Sequence, residues 1–567
     1  MKLRTKILFS IVFTVVFLPS AVQAEFLGQT VVFFVDSSYD ATKREELPAA
    51  LVKISPKLLL YIDDAWWSAQ NPFVQDEVRR SFNALATEFE GRIYPILTST
   101  FGSEWKPGID NDSRITVLFH PMTDEAGGYT NYGDEYPKVQ NPTSNEREMV
   151  YLNTAFITSP MLKSLLSHEL VHLITFNQKE NLHNVSEEMW LNEARAEYAS
   201  TLLGYDDVFL GSNLERRIQT FIQDPTDSLI EWNNEKSDYA VVNLFIQYLV
   251  DQYGLNILKD SLLSSKVGAA SLFEALENNG FSTTFAEVFT DWTIAVLVND
   301  CALGERYCYK NQNLKDFKVV PQTNFLPVSG ESTFSLVNTT KDWAGNWYKL
   351  VGGNNVLKVE FQGNPLAIFK LPYLVENREG QITLKFVTLN ENQKGQFELQ
   401  NYKENRSLIL IPSPQTNTQD TENFLPYQFV LTFSTAQRTQ EQEQVLIDQL
   451  LAQIDFLAKE IAKIQAQIYA LLAGQGTANC SSFTRDLSFG MKDNFEVSCL
   501  QEFLKSEGPD IYPEGIVSGN FLSLTQAAVV RFQEKYADDV LLPLDLEKGT
   551  GYVGASTRAK INSILSP

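Results

Sequence analysis

The chain has 567 residues, a length that predicts several domains rather than one. Its 46 basic and 70 acidic residues give a formal net charge of −24. That balance disfavours nucleic acid and anionic membranes as partners, because both are themselves negatively charged.

Residues 1–24 have the three parts of a secretory signal peptide. Lys2, Arg4 and Lys6 form a basic start, residues 7–18 form a short apolar run, and residues 22–24 end in the small residue Ala24. No later stretch approaches the roughly 20 apolar residues of a membrane span. We therefore expect a secreted protein that is extracellular or associated with the cell wall.

The pattern along the mature chain predicts a multidomain α+β protein. Four segments follow the signal peptide: 25–315, where strand-like and helix-like stretches give way to helix; 320–437, with short β-rich runs; 445–472, a single helix; and 480–567, a small helical domain. We expect the first to hold a mixed sheet plus a helical half, and the second to be an antiparallel β-sandwich.

Residues 447–471 carry an apolar seam at alternating spacings of three and four, the pattern of a coiled coil. The seam consists of Ile447, Leu450, Ile454, Leu457, Ile461, Ile464, Ile468 and Leu471. The sequence leaves two interpretations open, which are a homodimer and a helix folded back on a neighbouring domain.

All four cysteines lie beyond residue 300, and export permits disulfides. Three pairings are possible. We expect Cys301–Cys308 and Cys480–Cys499, because each bridge then stays within one local segment.

His168, Glu169 and His172 form an H-E-x-x-H motif on a predicted helix. Histidines four apart project from one helical face and can bind one zinc ion per chain. Glu169 is placed to act as the general base. The alternative is a polar patch on an ordinary helix.

A catalytic zinc needs a third protein ligand. Residues 190–198 predict a second helix with Glu193 and Glu197 four apart on one face. We expect Glu193 to bind zinc and Glu197 to accept the free ring N–H of a ligand histidine. The alternative is a solvated acidic face.

The two motifs together resemble the gluzincin metallopeptidases, and specifically the hyicolysin-type secreted bacterial peptidases. The likeness covers roughly 25–300 and includes Phe101-Gly102, Pro107-Gly108-Ile109-Asp110, Gly127-Gly128-Tyr129, 148–153 and Trp190-Leu191-Asn192-Glu193. It implies a zinc endopeptidase acting on protein or peptide, with Glu193 as third ligand. Ala194 stands where a glycine is usual.

The same resemblance implies two further roles. Strand 148–153 would be the sheet edge that pairs with an extended substrate, the alternative being an ordinary buried strand. Tyr239, near the start of a later helix, would donate to the oxyanion, the alternative being a packing aromatic.

Residues 480–567 resemble the small helical peptidoglycan-binding domain. The likeness rests on Leu500-Gln501, Thr525, Phe532-Gln533 and 557–562, with Leu522 where a glycine is common. It implies a cell-wall partner. Two rival functions therefore stay open: a zinc enzyme that cuts peptidoglycan peptides, and a non-catalytic wall-binding protein on a peptidase scaffold.

Overall fold

The computed structural model describes residues 25–123, 126–416, 426–436, 480–492 and 494–566, with some positions between 451 and 464. The predicted signal peptide lies outside the described residues. The chain divides into two compact units, 1–438 and 439–567, and is a multidomain protein of mixed helix and sheet. Within the described residues, no helix is both long and apolar enough to cross a bilayer.

Six strands form the first sheet: β1 (Thr30–Phe34), β2 (Glu46–Ile54), β3 (Leu58–Asp63), β4 (Ile115–His120), β5 (Gly128–Tyr129) and β6 (Met149–Asn153). Their order is β1-β2-β3-β4-β6-β5, in which β3, β4 and β6 run parallel. These three strands are buried along their whole length, as expected of parallel strands covered on both faces.

Ten α-helices complete this part of the first unit: α1 (Asp64–Ala69), α2 (Pro72–Glu88), α3 (Tyr94–Phe101), α4 (Leu162–Thr175), α5 (Met189–Leu202), α6 (Asn213–Gln223), α7 (Lys236–Tyr253), α8 (Asn256–Leu263), α9 (Gly268–Asn278) and α10 (Phe285–Val298). One continuous apolar core joins β3, β4 and β6 to these helices. The predicted mixed sheet and helical half therefore share a core.

The β-rich segment folds as a sandwich. Its strands are β7 (Gln322–Leu326), β8 (Ser332–Thr340), β9 (Tyr348–Gly352), β10 (Val356–Gly363), β11 (Phe369–Lys370), β12 (Pro372–Asn377), β13 (Ile382–Phe386), β14 (Lys394–Gln400), β15 (Asn405–Leu410), β16 (Ser413–Pro414) and β17 (Tyr427–Ala436). A sheet β14-β10-β17-β8 faces a sheet β13-β12-β15-β9-β7 across an apolar core. The strands of the two facing sheets pair antiparallel, as expected, except at one edge, where β7 pairs in parallel with β9.

Trp343 packs the sandwich against the helical half. Its fully buried ring packs 4.8 Å from Phe285 and 5.3 Å from Phe289, measured between ring centroids. The Trp347 indole N–H donates to the Thr293 carbonyl at 2.9 Å. The sandwich is therefore continuous with the core of the first unit.

The second unit contains α11 (Phe495–Ser506), α12 (Ser523–Lys535), α13 (Ala537–Val540) and α14 (Ala555–Leu565). Both predicted disulfides are present, Cys301–Cys308 in the first unit and Cys480–Cys499 in the second. They are compatible with an extracellular location.

An internal repeat that the sequence analysis missed organises α11–α14. The buried Gln501 amide donates to Thr525 Oγ1 at 2.8 Å and accepts from the Gly519 N–H at 2.9 Å. Gln533 makes the same two bonds to Thr557 and Gly551, at 3.0 and 2.9 Å. Because every partner is displaced by the same number of positions, residues 494–525 and 526–557 are two copies of one structural unit.

Candidate metal centre

The two histidines of the motif lie one turn apart on α4. Their ring centroids are 4.9 Å apart, and both rings point toward α5, which packs against α4. The spacing of four puts them on one helical face, as the sequence predicted.

Glu193 on α5 brings the third predicted ligand to the same point. His168 Nε2 lies 3.0 Å from Glu193 Oε2, and His172 Nε2 lies 3.5 Å from Glu193 Oε1. One ligand atom from each of the three residues lies within 4.8 Å of the other two.

These distances fit a tetrahedral ion. Bonds of about 2.0–2.1 Å at tetrahedral angles separate neighbouring ligand atoms by about 3.3 Å, between the two observed distances. Glu193 Oε2 is buried and receives no hydrogen bond of good geometry from the described residues. A His₂Glu set with an open fourth position is a donor set that zinc accepts.

The charges around the site favour a bound cation. Burial lowers the pKa of His168, but its close contact with Glu193 and the charge of that group, with the charges of Glu169 and Glu197, raise it to about 9 overall. Glu169 and Glu193 thus face two imidazoles that are neutral in their ligating form, while the charge of Glu197 is paired with Arg217.

Glu169 is held beside the ligands by the sheet. Thr130 Oγ1 donates to Glu169 Oε2 at 2.9 Å. A Cβ on Gly128 would come within 3.1 Å of Glu169 Oε1 and 2.7 Å of the Tyr151 carbonyl oxygen, so only glycine lets β5 approach this closely. Burial raises the pKa of Glu169, which strengthens it as a base.

A hydrogen-bonded pair that the sequence analysis missed orients His172. His172 Nδ1 lies 3.1 Å from Asn192 Oδ1, and Asn192 Nδ2 donates to the Tyr132 hydroxyl at 2.9 Å. An amide oxygen accepts from Nδ1–H, which leaves Nε2 free as a ligand. The position of Asn192 next to Glu193 was the available signal.

The prediction for Glu197 needs correction. Its Oε1 lies 3.6 Å from His168 Nδ1, beyond hydrogen-bonding distance. Instead, the Glu197 carboxylate accepts two hydrogen bonds from Arg217, at 2.5 and 2.8 Å. It also accepts one from the amide group of Asn213 at 2.8 Å and one from that of Asn243 at 3.0 Å. A guanidinium can donate two parallel hydrogen bonds to a carboxylate, whereas a histidine ring nitrogen can donate only one. Glu197 therefore pairs with Arg217 rather than with His168.

Tyr239 lies near the candidate metal ligand Glu193. Burial, followed by the charge of Glu193, raises its pKa well above the usual range. Its hydroxyl donates to Asn234 Oδ1 at 2.8 Å, and the Arg217 guanidinium sits 4.7 Å from its ring centroid. Tyr239 is thus held in place from two sides.

A second tyrosine that the sequence analysis missed approaches the same place. Tyr39, in the β1–β2 loop, lies within hydrogen-bonding reach of Asn234. Burial raises the pKa of Tyr39, and the nearby charges of Glu169 and Glu193 raise it further. Its ring stacks on Tyr129 with centroids 4.7 Å apart. No motif marked Tyr39, because its position depends on the fold of a distant loop.

The predicted edge strand is not the edge. Strand β6 lies between β4 and β5 and is buried along its whole length, so the expectation for 148–153 is wrong. After β4 the chain turns back, and β5 pairs antiparallel with β6, so that Gly128 lies opposite Leu152 and Tyr129 opposite Tyr151. The edge nearest Glu169 is therefore β5.

No protein-family model and no curated protein matches the chain. Among solved structures, the pre-peptidase C-terminal domain of Bacillus anthracis collagenase is similar at 6% identity and a TM-score of 0.14, covering 20% of this chain and 96% of that one. PliG, a periplasmic inhibitor of g-type lysozyme from Aeromonas hydrophila, is similar at 12% identity and 0.13, covering 21% and 100%. A GH115 4-O-methyl-α-glucuronidase is similar at 8% identity and 0.12, covering 57% and 51%. At these scores the likenesses carry no argument about this chain.

Proposed function

We propose that this chain is a secreted zinc-dependent endopeptidase of the gluzincin type, hydrolysing peptide bonds in protein or peptide substrates. The convergence of His168, His172 and Glu193 beside the buried Glu169 is the observation that supports it most. A zinc ion, when bound there, supplies Lewis acidity to the scissile carbonyl and to the attacking water.

Glu169 performs the proton transfers in this proposal. It takes a proton from the attacking water and later delivers that proton to the leaving amine. The hydrogen bond from Thr130 fixes the orientation of the Glu169 carboxylate. Because burial raises the pKa of Glu169, the carboxylate accepts the proton of the water more readily and then carries it to the leaving amine.

The outer edge of β5 binds the substrate in this proposal. Among the described residues no other strand pairs with that edge, so an extended peptide can add to it through backbone hydrogen bonds. Such a peptide would run beside Glu169, which contacts Gly128 and Thr130. Tyr239 donates to the developing oxyanion after its hydroxyl turns away from Asn234 Oδ1.

We propose that the second unit attaches the enzyme to the cell wall. The support is the resemblance of 480–567 to peptidoglycan-binding domains, and the repeated Gln501 and Gln533 arrangement is consistent with a compact binding module. A wall-lytic zinc enzyme would share this anchor. Parallel digestion of casein and purified sacculi separates the two functions, because the endopeptidase releases peptides from casein.

The deciding experiment combines metal content with turnover. The wild type should hold one zinc per chain, measured by atomic absorption after dialysis. Glu169→Gln should retain that zinc and lose turnover by at least about 10²-fold, because only the base is removed. His172→Ala should lose both.

His183→Ala is the matched control, because His183 is exposed and outside the ligand set. It should leave zinc and turnover unchanged. Near wild-type turnover in Glu169→Gln would refute the mechanism.

A further inference from the structure

A second group of carboxylates lies away from the zinc ligands. Glu135 ends a short 3-10 turn, Tyr132–Glu135, and Glu148 immediately precedes β6. Each side chain is only 3% exposed, and the two carboxyl groups lie within hydrogen-bonding reach of one another. Two like charges buried in contact are costly unless something between them compensates.

Among the described residues, no basic side chain forms an ion pair with Glu135 or Glu148. Oε2 of Glu135 and Oε2 of Glu148 are both buried and have no hydrogen-bond partner among the described residues. The arginines of this region are engaged elsewhere, Arg147 with Glu25 at 2.8 Å and Arg114 with Asp112 and Glu25.

The backbone of residues 108 and 109 lies directly against the Glu148 carboxylate. The Ile109 N–H donates to Glu148 Oε1 at 2.8 Å, a bond that favours the ionised carboxylate. The side chain rests on Gly108, where a Cβ would sit 1.7 Å from Oε2 and where the backbone φ is +90°. Asp110 adds a third acidic group whose charge acts on both glutamates.

We propose that Glu135 and Glu148 bind a divalent cation, and specifically calcium. The donors are all hard oxygens, which calcium prefers and zinc does not require. One proton shared by the pair would cancel one charge, whereas a divalent cation cancels both and gives the two unpartnered oxygens a ligand. Backbone carbonyls and water can complete its flexible coordination shell.

The cation site is linked to the metal centre through one turn. Tyr132 begins the turn that Glu135 ends, and its hydroxyl accepts from Asn192, which contacts His172. Calcium at Glu135 therefore stabilises the turn that supports a zinc ligand. The calcium site itself does not depend on the proposed peptidase activity.

Calcium titration of the full mature chain tests the site. Chelator-treated protein receives one zinc per chain and is then titrated with calcium chloride by isothermal calorimetry. We expect saturable binding of one calcium with a Kd of about 10⁻⁴–10⁻³ M, the range of extracellular calcium modules. Glu135→Gln and Glu148→Gln should each weaken it at least tenfold.

Glu277→Gln, at an exposed position of α9, controls for the lost charge and should bind calcium like the wild type. Circular dichroism verifies that each variant is folded, and if one glutamine variant unfolds, the other still decides the question. Absence of saturable calcium binding by the wild type, or wild-type affinity in both glutamine variants, would overturn the proposal.

Discussion

Glu197 and Arg217 form a buried ion pair with two hydrogen bonds, next to the candidate metal ligand His168. The guanidinium nitrogens lie 2.5 and 2.8 Å from the two carboxylate oxygens, and Glu197 Oε1 lies 3.6 Å from His168 Nδ1. Arg217 also covers the ring of Tyr239. One arginine thus connects the carboxylate behind His168 to the candidate oxyanion donor.

Replacing Arg217 with methionine should destabilise the first unit by about 3–5 kcal/mol, because it leaves the Glu197 charge buried and unpaired. Urea denaturation followed by fluorescence measures this loss. Arg80→Met, at an exposed position of α2, should change stability by less than about 0.5 kcal/mol. Equal effects of the two substitutions would contradict the role given to the pair.

The sequence predicted that His168, His172 and Glu193 come together because their local spacing indicates it. His168 and His172 need only one helix, and Glu193 needs only the next one. Arg217 could not be predicted, because it comes from α6 and meets Glu197 only after α5, α6 and α7 pack.

Asn192→Ala should weaken zinc binding by about 10–100-fold, the usual effect of removing a group that orients a ligand histidine. Competition with a fluorescent zinc chelator measures the affinity. Asn192→Asp keeps an oxygen for His172 Nδ1 and should restore most of it. If Asn192→Ala bound zinc like the wild type, the contact at 3.1 Å would have no orienting role.

Calcium should stabilise the protein more at pH 8 than at pH 5.5. Burial and the facing Glu148 raise the pKa of Glu135, and burial raises that of Glu148, with Asp110 adding to both. The folded pair therefore holds protons that the unfolded chain releases, so the free energy of unfolding falls as pH rises through the neutral range. Calcium offsets that loss.

Thermal midpoints with and without about 5 mM calcium chloride, a concentration above the expected Kd, measure the effect. Asp134, whose pKa burial raises to about 6, adds to the same trend. The comparison therefore needs Glu135→Gln, in which the pH trend should flatten. A calcium shift that is equal at both pH values would argue against titration of this pair.

Gln501→Ala and Gln533→Ala should destabilise the second unit by similar amounts, about 1–3 kcal/mol each. Each glutamine accepts two backbone N–H groups and donates to a buried threonine, so removal leaves buried donors unsatisfied. Urea denaturation of residues 480–567 measures both. Gln526→Ala, which lies outside this network, is the control.

Two features escaped the sequence analysis for physical reasons. The repeat in the second unit is marked in the sequence only by a few isolated identities, such as Val497 with Val529 and Gln501-Glu502 with Gln533-Glu534, and most positions between them differ. Strand β5 has only two residues, too few for an alternating pattern to predict it, and the expectation that β6 is the edge rests on the family resemblance. In both cases long-range hydrogen bonds decide the structure.

The apolar seam of the predicted coiled coil remains uncovered where the structure describes it. Its described positions are helical and exposed, with Ile454 at 62%, Leu457 at 57%, Ile461 at 56% and Ile464 at 52%. The rest of the seam lies outside the described residues. Exposing an apolar stripe of this kind to water costs free energy, so a partner surface should cover it. Isoleucine at the a positions of the heptad, here Ile454 and Ile461, with leucine at d, here Leu457, favours a parallel two-stranded coiled coil.

We therefore expect the mature protein to be a dimer by light scattering at micromolar concentration. The Ile454→Asp, Ile461→Asp double variant should be monomeric, because it places four buried carboxylates in the seam of the dimer. Lys459→Asp changes the net charge by the same amount on the opposite face of the helix and should stay dimeric. Dimerisation would set two terminal domains side by side and raise wall binding through avidity, without a new contact. A monomeric mass for the wild type would mean that the helix folds back within one chain.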